Sequence, residues 1–210
     1  MHQVPAIFQQ RRAGVLMHLT SVPGPHGVGD LGPAADRFAE WCAQSGLTLW
    51  QMLPIGPVGY GDSPYSATSS FAAEPMLVSL ERLAQEGLLP KSRLKAPRAL
   101  GHGNANFAAA RAFKRPHFAE AFAAFERKGG TRSRAWREFQ RASRGWLPGW
   151  CRFACAKEGG TRELHAFIQF QFARQWQAFR ERCHALGVKL DRKSTRLNSS
   201  HANISYAVFC

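Results

Sequence analysis

The sequence predicts an α/β fold that opens as βα units of a parallel sheet and continues into a long helical stretch. Three observations carry this reading. A strand, a loop, a helix and a second strand follow one another within about 40 residues, the repeat of a parallel sheet. Both strands run into long Gly/Pro-rich loops at their C-terminal ends, where a (β/α)8 barrel sets its active-site loops. Residues 81–186 then carry helical periodicity almost throughout, too much chain for one crossover helix.

Taken in order, Gly14–Leu19 reads as a short buried strand and Pro23–Gly32 as a glycine–proline loop. Pro33 suits a first helical position, and Phe38, Trp41 and Cys42 form the apolar stripe of the helix it opens, which Gly46 closes. Leu47–Leu53 reads as the second strand, stopped by Pro54. Gly56–Pro75 packs turn glycines, Tyr60, Tyr65 and a run of hydroxyl residues into one loop. Such a loop offers flat apolar faces beside small donors and acceptors, the combination that a sugar ring with its rim of hydroxyls requires. An ordinary polar βα loop is the plainer alternative. Further on, Phe118, Phe122 and Phe125 share one face of a helix that Pro116 is expected to start. Leu164, Ile168, Phe172, Trp176, Phe179 and Cys183 make the clearest amphipathic stripe, closed by Gly187, and Val188–Leu190 begins a third strand.

The chain has 210 residues, enough for a sizeable core, and a formal net charge of +14. That charge is uneven. Residues 1–90 hold 4 Lys/Arg against 7 Asp/Glu, whereas residues 91–157 hold 16 against 3. A basic block interleaved with Phe and Trp is one route to nucleic-acid binding. Here the arginines alternate with alanines at helical spacing, which describes a solvated helix surface, so no nucleic-acid partner is expected. No apolar run reaches the ~20 residues that span a bilayer, and residues 1–12 lack the order of a signal peptide. The expectation is a cytoplasmic protein with no membrane partner.

The five cysteines are an odd count without an export signal, which argues against a disulfide framework. Cys151 and Cys155 fall one helical turn apart and, with His165, Cys183 and His184, supply metal-ligand chemistry without any CxxC or HExxH spacing. Buried structural thiols are the plainer reading, and no metal is expected. Gly27–Gly32 satisfies GxGxxG, but the loop before it contains Pro23 and Pro25 and Pro33 follows at once. A dinucleotide fingerprint needs those glycines at the strand-to-helix turn, so no cofactor is expected. Asp30 is read as a cap on the helix that starts at Pro33.

Three blocks, GVLMHLTSVPGPHGVGDLG (Gly14–Gly32), LWQMLPIGPVGYGDSPYSATSSFA (Leu49–Ala72) and LVSLERLAQEGLL (Leu77–Leu89), resemble in order and spacing the start of a 4-α-glucanotransferase, the amylomaltase or disproportionating-enzyme family (glycoside hydrolase family 77). A weaker match runs on to Gly187–Leu190. The resemblance implies a (β/α)8 TIM barrel, of which this chain holds strands 1, 2 and part of 3 with a helical insertion, and is therefore incomplete. It divides the chain into residues 1–80, the first two βα units; 81–186, the inserted helical subdomain; 187–190, the start of the third strand; and 191–210, a non-native tail. Lys193–Cys210 resembles a translated sequencing-adaptor artefact.

The resemblance further implies transfer of α-1,4-glucan segments between maltooligosaccharides by a retaining double displacement through a glucosyl-aspartate, without a cofactor. In the family the nucleophilic Asp, the acid/base Glu and an assisting Asp come from later strands, so none is expected here and this chain alone is expected to be inactive. Ser63 and Tyr65 match residues that face the glucan cleft, and Tyr60 matches an accessory glucan contact. His18 and Gln51 also match the family pattern, and a core hydrogen-bonding role accounts for them equally well. Glu74, where the family has Asn, Ser66, where Gln is common, and Trp146–Trp150 depart from the pattern. The alternative from another class is a non-catalytic glucan-binding module.

Overall fold

The computed structural model describes residues 11–100 and 104–192. Three parallel strands, β1 (Gly14–Leu16), β2 (Leu49–Met52) and β3 (Lys189–Arg192), lie in the order β1-β2-β3. This is the order expected of consecutive strands in a (β/α)8 barrel. α1 (Pro33–Gln44) connects β1 to β2, and among the described residues five α-helices, with short 3-10 turns between some of them, separate β2 from β3: α2 (Leu80–Gln85), α3 (Phe107–Arg127), α4 (Arg134–Ala142), α5 (Leu147–Glu158) and α6 (Arg162–Ala185). Among the described residues no helix is long and apolar enough to cross a membrane.

Register aligns Val15, Trp50 and Leu190 across the sheet, so their side chains share one face. Trp50 is the buried centre of that face. It meets Phe38 of α1 edge-on at 4.7 Å and Phe179 of α6 at 5.5 Å, and its indole N–H donates to the Met17 carbonyl at 2.7 Å. Both strands are shorter than their sequence patterns. β1 ends at Leu16 because the chain turns into a 3-10 helix at Leu19–Ser21. Of the expected α1 stripe, Cys42 is buried, but Trp41 lies 51% exposed, stacked on Phe38 at 5.4 Å. β3 runs two residues beyond Leu190, since Asp191 and Arg192 pair with Gln51 and Met52. The expected tail boundary at residue 191 therefore falls inside the strand, and the rest of that tail, 193–210, lies outside the described residues.

Pro116 does not start a helix; it sits inside α3. The helix begins instead at Asn106, whose side chain accepts the Ala109 N–H at 2.9 Å. A proline in a helix interior removes one hydrogen bond and costs roughly 3 kcal/mol. Buried Lys114, Phe118, Phe122 and Phe125 hold the helix on both sides of it. α6 is the central helix. Of its expected stripe Ile168, Phe172, Phe179 and Cys183 are buried and Leu164 and Trp176 half-buried, and Phe167, Phe170, Gln169, Gln171 and Gln175 are buried too, because α1, α3 and α5 all pack against it.

The segment 73–79 passes under these helices as largely buried backbone with a single 3-10 turn at Pro75–Leu77, and side chains satisfy the groups that turn leaves unpaired. Gln169 accepts the Ala73 N–H and donates to the Ala73 carbonyl, both at 2.9 Å. Gln175 does the same for Ser79, at 2.7 and 3.2 Å. Lys114, with a fully buried side chain, donates to the carbonyls of Met76 (2.6 Å) and Val78 (3.0 Å) and to Asp30 (2.6 Å). Removing one member of a buried ion pair leaves the other uncompensated. Lys114→Met is therefore expected to lower the unfolding free energy by about 3–5 kcal/mol, and adding Asp30→Asn is expected to recover part of the loss. Urea titration of both variants measures this.

Candidate functional site

The loops that follow β1 and β2 form the candidate site. The β1 loop carries the GxGxxG sequence, whose glycines are filled by protein. A Cβ at Gly29 would lie 2.1 Å from the Leu19 carbonyl oxygen and 2.3 Å from that of Val22, so only glycine lets the loop close on itself here. Asp30 does not cap α1. Its Oδ1 accepts the Gly32 N–H at 2.9 Å and its Oδ2 is taken by Lys114, because a buried ammonium requires a counter-charge.

Gly56–Pro75 is a loop closed at its neck. The Glu74 N–H donates to Ile55 at 2.8 Å, and the Thr68 N–H donates to Pro57 at 3.0 Å. The buried Glu74 carboxylate accepts the N–H of Val58 (2.8 Å) from one strand of the neck and that of Met76 (3.0 Å) from the other. Gly59 lets the tip fold back, since a Cβ there would lie 2.1 Å from the Ser66 carbonyl oxygen. At that tip Tyr60 is 97% exposed and Tyr65 54% exposed. Ser63 Oγ accepts the Tyr65 N–H at 3.3 Å and so shapes the 3-10 turn Pro64–Ser66 that presents the ring. The three expected glucan residues thus stand on one anchored loop. A local Asx-type bond is the plain sequence expectation for Asp62 in this turn, and the structure gives it another partner. Asp62 adopts φ 54 and forms an ion pair with Arg111 of α3 at 2.8 Å.

His18 and Gln51 lie where β1 and β2 end. Burial lowers the His18 imidazole to about 4, so it is neutral near pH 7. Gln51 Nε2 donates to the Asp191 carboxylate at 2.5 Å. Among the described residues the cysteines form no metal-ligating group with the histidines. His165 bonds the Gly159 carbonyl at 2.7 Å, and burial pushes the thiols of Cys151 and Cys183 up to about 11 and about 12. The metal-ligating atoms that do converge, within 4.8 Å, belong to His26, Asp30 and Glu81. Lys114 already supplies positive charge there, 2.6 Å from Asp30. Glu74, Arg111, Lys114, Gln169 and Gln175 were not singled out from the sequence as site-building residues. Each acts on a partner distant along the chain; only the departure at Glu74-Pro75 offered a signal.

The chain is similar to known proteins over most of its length. A family model described as 4-alpha-glucanotransferase matches residues 17–163. The 4-alpha-glucanotransferase of Thermus thermophilus is 35% identical, over 86% of this chain and 41% of its own length. That of Synechocystis sp. is 33% identical, over 81% of this chain and 40% of its own. This chain therefore spans about two fifths of those relatives. Among solved structures, the amylomaltase from Streptococcus agalactiae in complex with acarbose superposes with a TM-score of 0.76 at 22% identity, over 88% of this chain and 43% of that one. The Corynebacterium glutamicum amylomaltase gives 0.64 at 17% identity, over 85% and 29%. At these identities the two structures show a shared fold.

Desolvation raises the Glu74 carboxyl above its ordinary value of 4.5, and the two N–H donors and Arg111 only partly oppose this. A carboxyl whose folded pKa is raised contributes its stability in full below the unfolded value and loses it as pH climbs through the folded one. Glu74→Gln is thus expected to be most destabilising, relative to the parent, near pH 4 and least near pH 8. Urea unfolding at the two pH values checks it.

Proposed function

The chain belongs to the 4-alpha-glucanotransferase family, and from that membership we propose that it carries part of the glucan-binding surface of a cytoplasmic enzyme that moves α-1,4-glucan segments between maltooligosaccharides. The observation that carries the reading is the loop after β2. It offers two exposed tyrosine rings and Ser63 on a backbone pinned by Glu74. A ring with few rotors gains contact with a glucose face at little entropic cost. The S. agalactiae amylomaltase was solved with acarbose, and we extend an oligosaccharide ligand of that kind to this chain. Ser63 and Tyr65 are assigned to the cleft and Tyr60 to an accessory contact. In this reading residues 1–80 supply two βα units, 81–186 the inserted helical subdomain, and the segment from 187 the third strand.

Retaining transfer needs a nucleophilic carboxylate and an acid/base about 5–5.5 Å apart. Asp30 and Glu81 approach one another, but Asp30 is buried and committed to Lys114 and Gly32. We assign no catalytic carboxylate to this chain and place the nucleophile and the acid/base on later strands of the family's barrel. The 210-residue chain is then expected to bind maltooligosaccharide without releasing glucose from maltotriose, which a glucose-release assay checks.

An aromatic contact is worth about 0.5–1.5 kcal/mol, so Tyr65→Ala is expected to weaken binding roughly 2- to 13-fold, with a smaller loss for Ser63→Ala. Affinity electrophoresis in amylose gels measures both. Unchanged retardation of a Tyr60→Ala/Tyr65→Ala double variant would remove the assignment.

A further inference from the structure

The β2 loop is fixed at its neck, but packing does not fix its tip. Tyr60 is almost fully exposed, and a Cβ added at Gly61 would meet nothing within 4 Å. The backbone bonds of the tip are long. The Asp62 N–H reaches the Gly59 carbonyl at 3.3 Å and the Ser63 N–H that of Tyr60 at 3.4 Å, beyond the about 2.7–3.2 Å of ordinary N–H···O bonds. Gly61 and Asp62 both take left-handed backbone, with φ 67 and φ 54, and among the described residues Asp62 is the only residue other than glycine to do so.

One strong contact leaves this tip. The Asp62 carboxylate meets the Arg111 guanidinium of α3 at 2.8 Å, and the same guanidinium lies over the Phe107 ring at 5.8 Å, so α3 itself aims the arginine. The other charged groups lining the cavity between the loop, α3 and α5 are engaged elsewhere. Arg115 pairs with Glu158 at 3.0 Å, Glu74 accepts the N–H groups of Val58 and Met76, and Lys157 lies over the Phe153 ring at 5.8 Å. Among the described residues Lys157 has no carboxylate partner, which makes it the cation able to replace Arg111 if the arginine is lost.

Asp62 lies two residues after Tyr60 and three before Tyr65, with Ser63 beside it. A glucan that touches several of these residues needs them in one relative position. A tip that is not held must be ordered at the moment of binding, and that ordering costs affinity. We propose that Arg111 is a positioning residue for glucan binding, which through Asp62 latches the tip of the β2 loop to α3 and presets Tyr60, Ser63 and Tyr65. The latch rests on the contacts alone; its service to a glucan rests on the reading above.

The test is isothermal titration of the 210-residue chain with maltoheptaose, without added salt and in roughly 0.5 M NaCl, together with hydrogen exchange of residues 59–66 in the absence of ligand. The variants are Arg111→Gln, Arg111→Lys and Asp62→Asn, each checked for folding by circular dichroism. Asparagine tolerates left-handed backbone, so Asp62→Asn removes the charge without adding strain, and Lys157 cannot make good its loss. The dissociation constant is expected to rise about two- to fivefold in Arg111→Gln and in Asp62→Asn, the scale of a partly exposed ion pair, with part of the loss recovered in Arg111→Lys. Exchange at residues 59–66 is expected to quicken while the neck amides of Val58 and Met76 stay protected. The pair is 28% and 37% exposed, so salt screens it. Maltoheptaose is uncharged, so salt is expected to weaken its binding to the parent and not to Asp62→Asn. A pair that only stabilised the fold would shift unfolding and leave binding by the folded chain, and its salt response, untouched. The proposal falls if Asp62→Asn binds maltoheptaose as tightly as the parent, or if it keeps the parent's salt response; the glucan reading then stands. If the parent does not bind maltoheptaose, the proposal falls together with that reading, and quickened exchange in the variants leaves the latch as a structural contact only.

Discussion

A buried ammonium group organises this molecule. Lys114 has no exposed side-chain surface, and its three N–H groups go to Asp30, Met76 and Val78. Its partners come from the loop after β1 and the segment after the β2 loop, while the lysine itself comes from a helix of the inserted region. Burying a charge in this way is tolerable only when every donor is met. The requirement therefore fixes three otherwise independent pieces of chain against one another. The bond from the Leu31 N–H to the Leu77 carbonyl at 2.9 Å completes the same junction.

The glutamines of α6 extend this logic to the rest of the buried segment. Irregular backbone in a protein interior has amides and carbonyls that no helix or sheet will pair. Gln169 and Gln175 each present an amide that donates and accepts in parallel, and each serves both backbone groups of one residue. Ala73 and Ser79 are thus held as if a neighbouring strand were present. Glu74, between them, turns its carboxylate toward the neck of the loop that carries the tyrosines. The position of Tyr60 and Tyr65 is in this sense decided on α3 and α6, well away from their own turn.

Local pattern was enough to read the three strands, the class of fold and the glycine-closed ends of α1 and α6, because alternation, periodicity and turn residues act over a few positions. That Tyr60, Ser63 and Tyr65 fall together on one loop after β2 was also legible, through motif and composition. What escaped was long-range. Pro116 reads as a helix start on local grounds, yet tertiary burial of Lys114 and Phe118 carries the helix through it. A polar residue on a helix reads as a solvated face. Nothing local marks Gln169, Gln175 or Lys114 as buried, since their partners lie 96 and between 36 and 84 residues away. Glu74 stood out as a departure from the family pattern, but of its two backbone partners Met76 is a local cap and Val58 follows only from the closure of the loop.

The reach of those glutamine bonds has a consequence for how the chain acquires its structure on the ribosome. Ala73 and Ser79 leave the ribosome about 96 residues before the side chains that complete them. Contacts of such separation form late, because the entropy of closing the loop must be spent before they return anything. The two tyrosines are therefore synthesised early and set late: the neck of the β2 loop can close on itself, but its Ala73 end waits for a partner until α6 has been made and has docked.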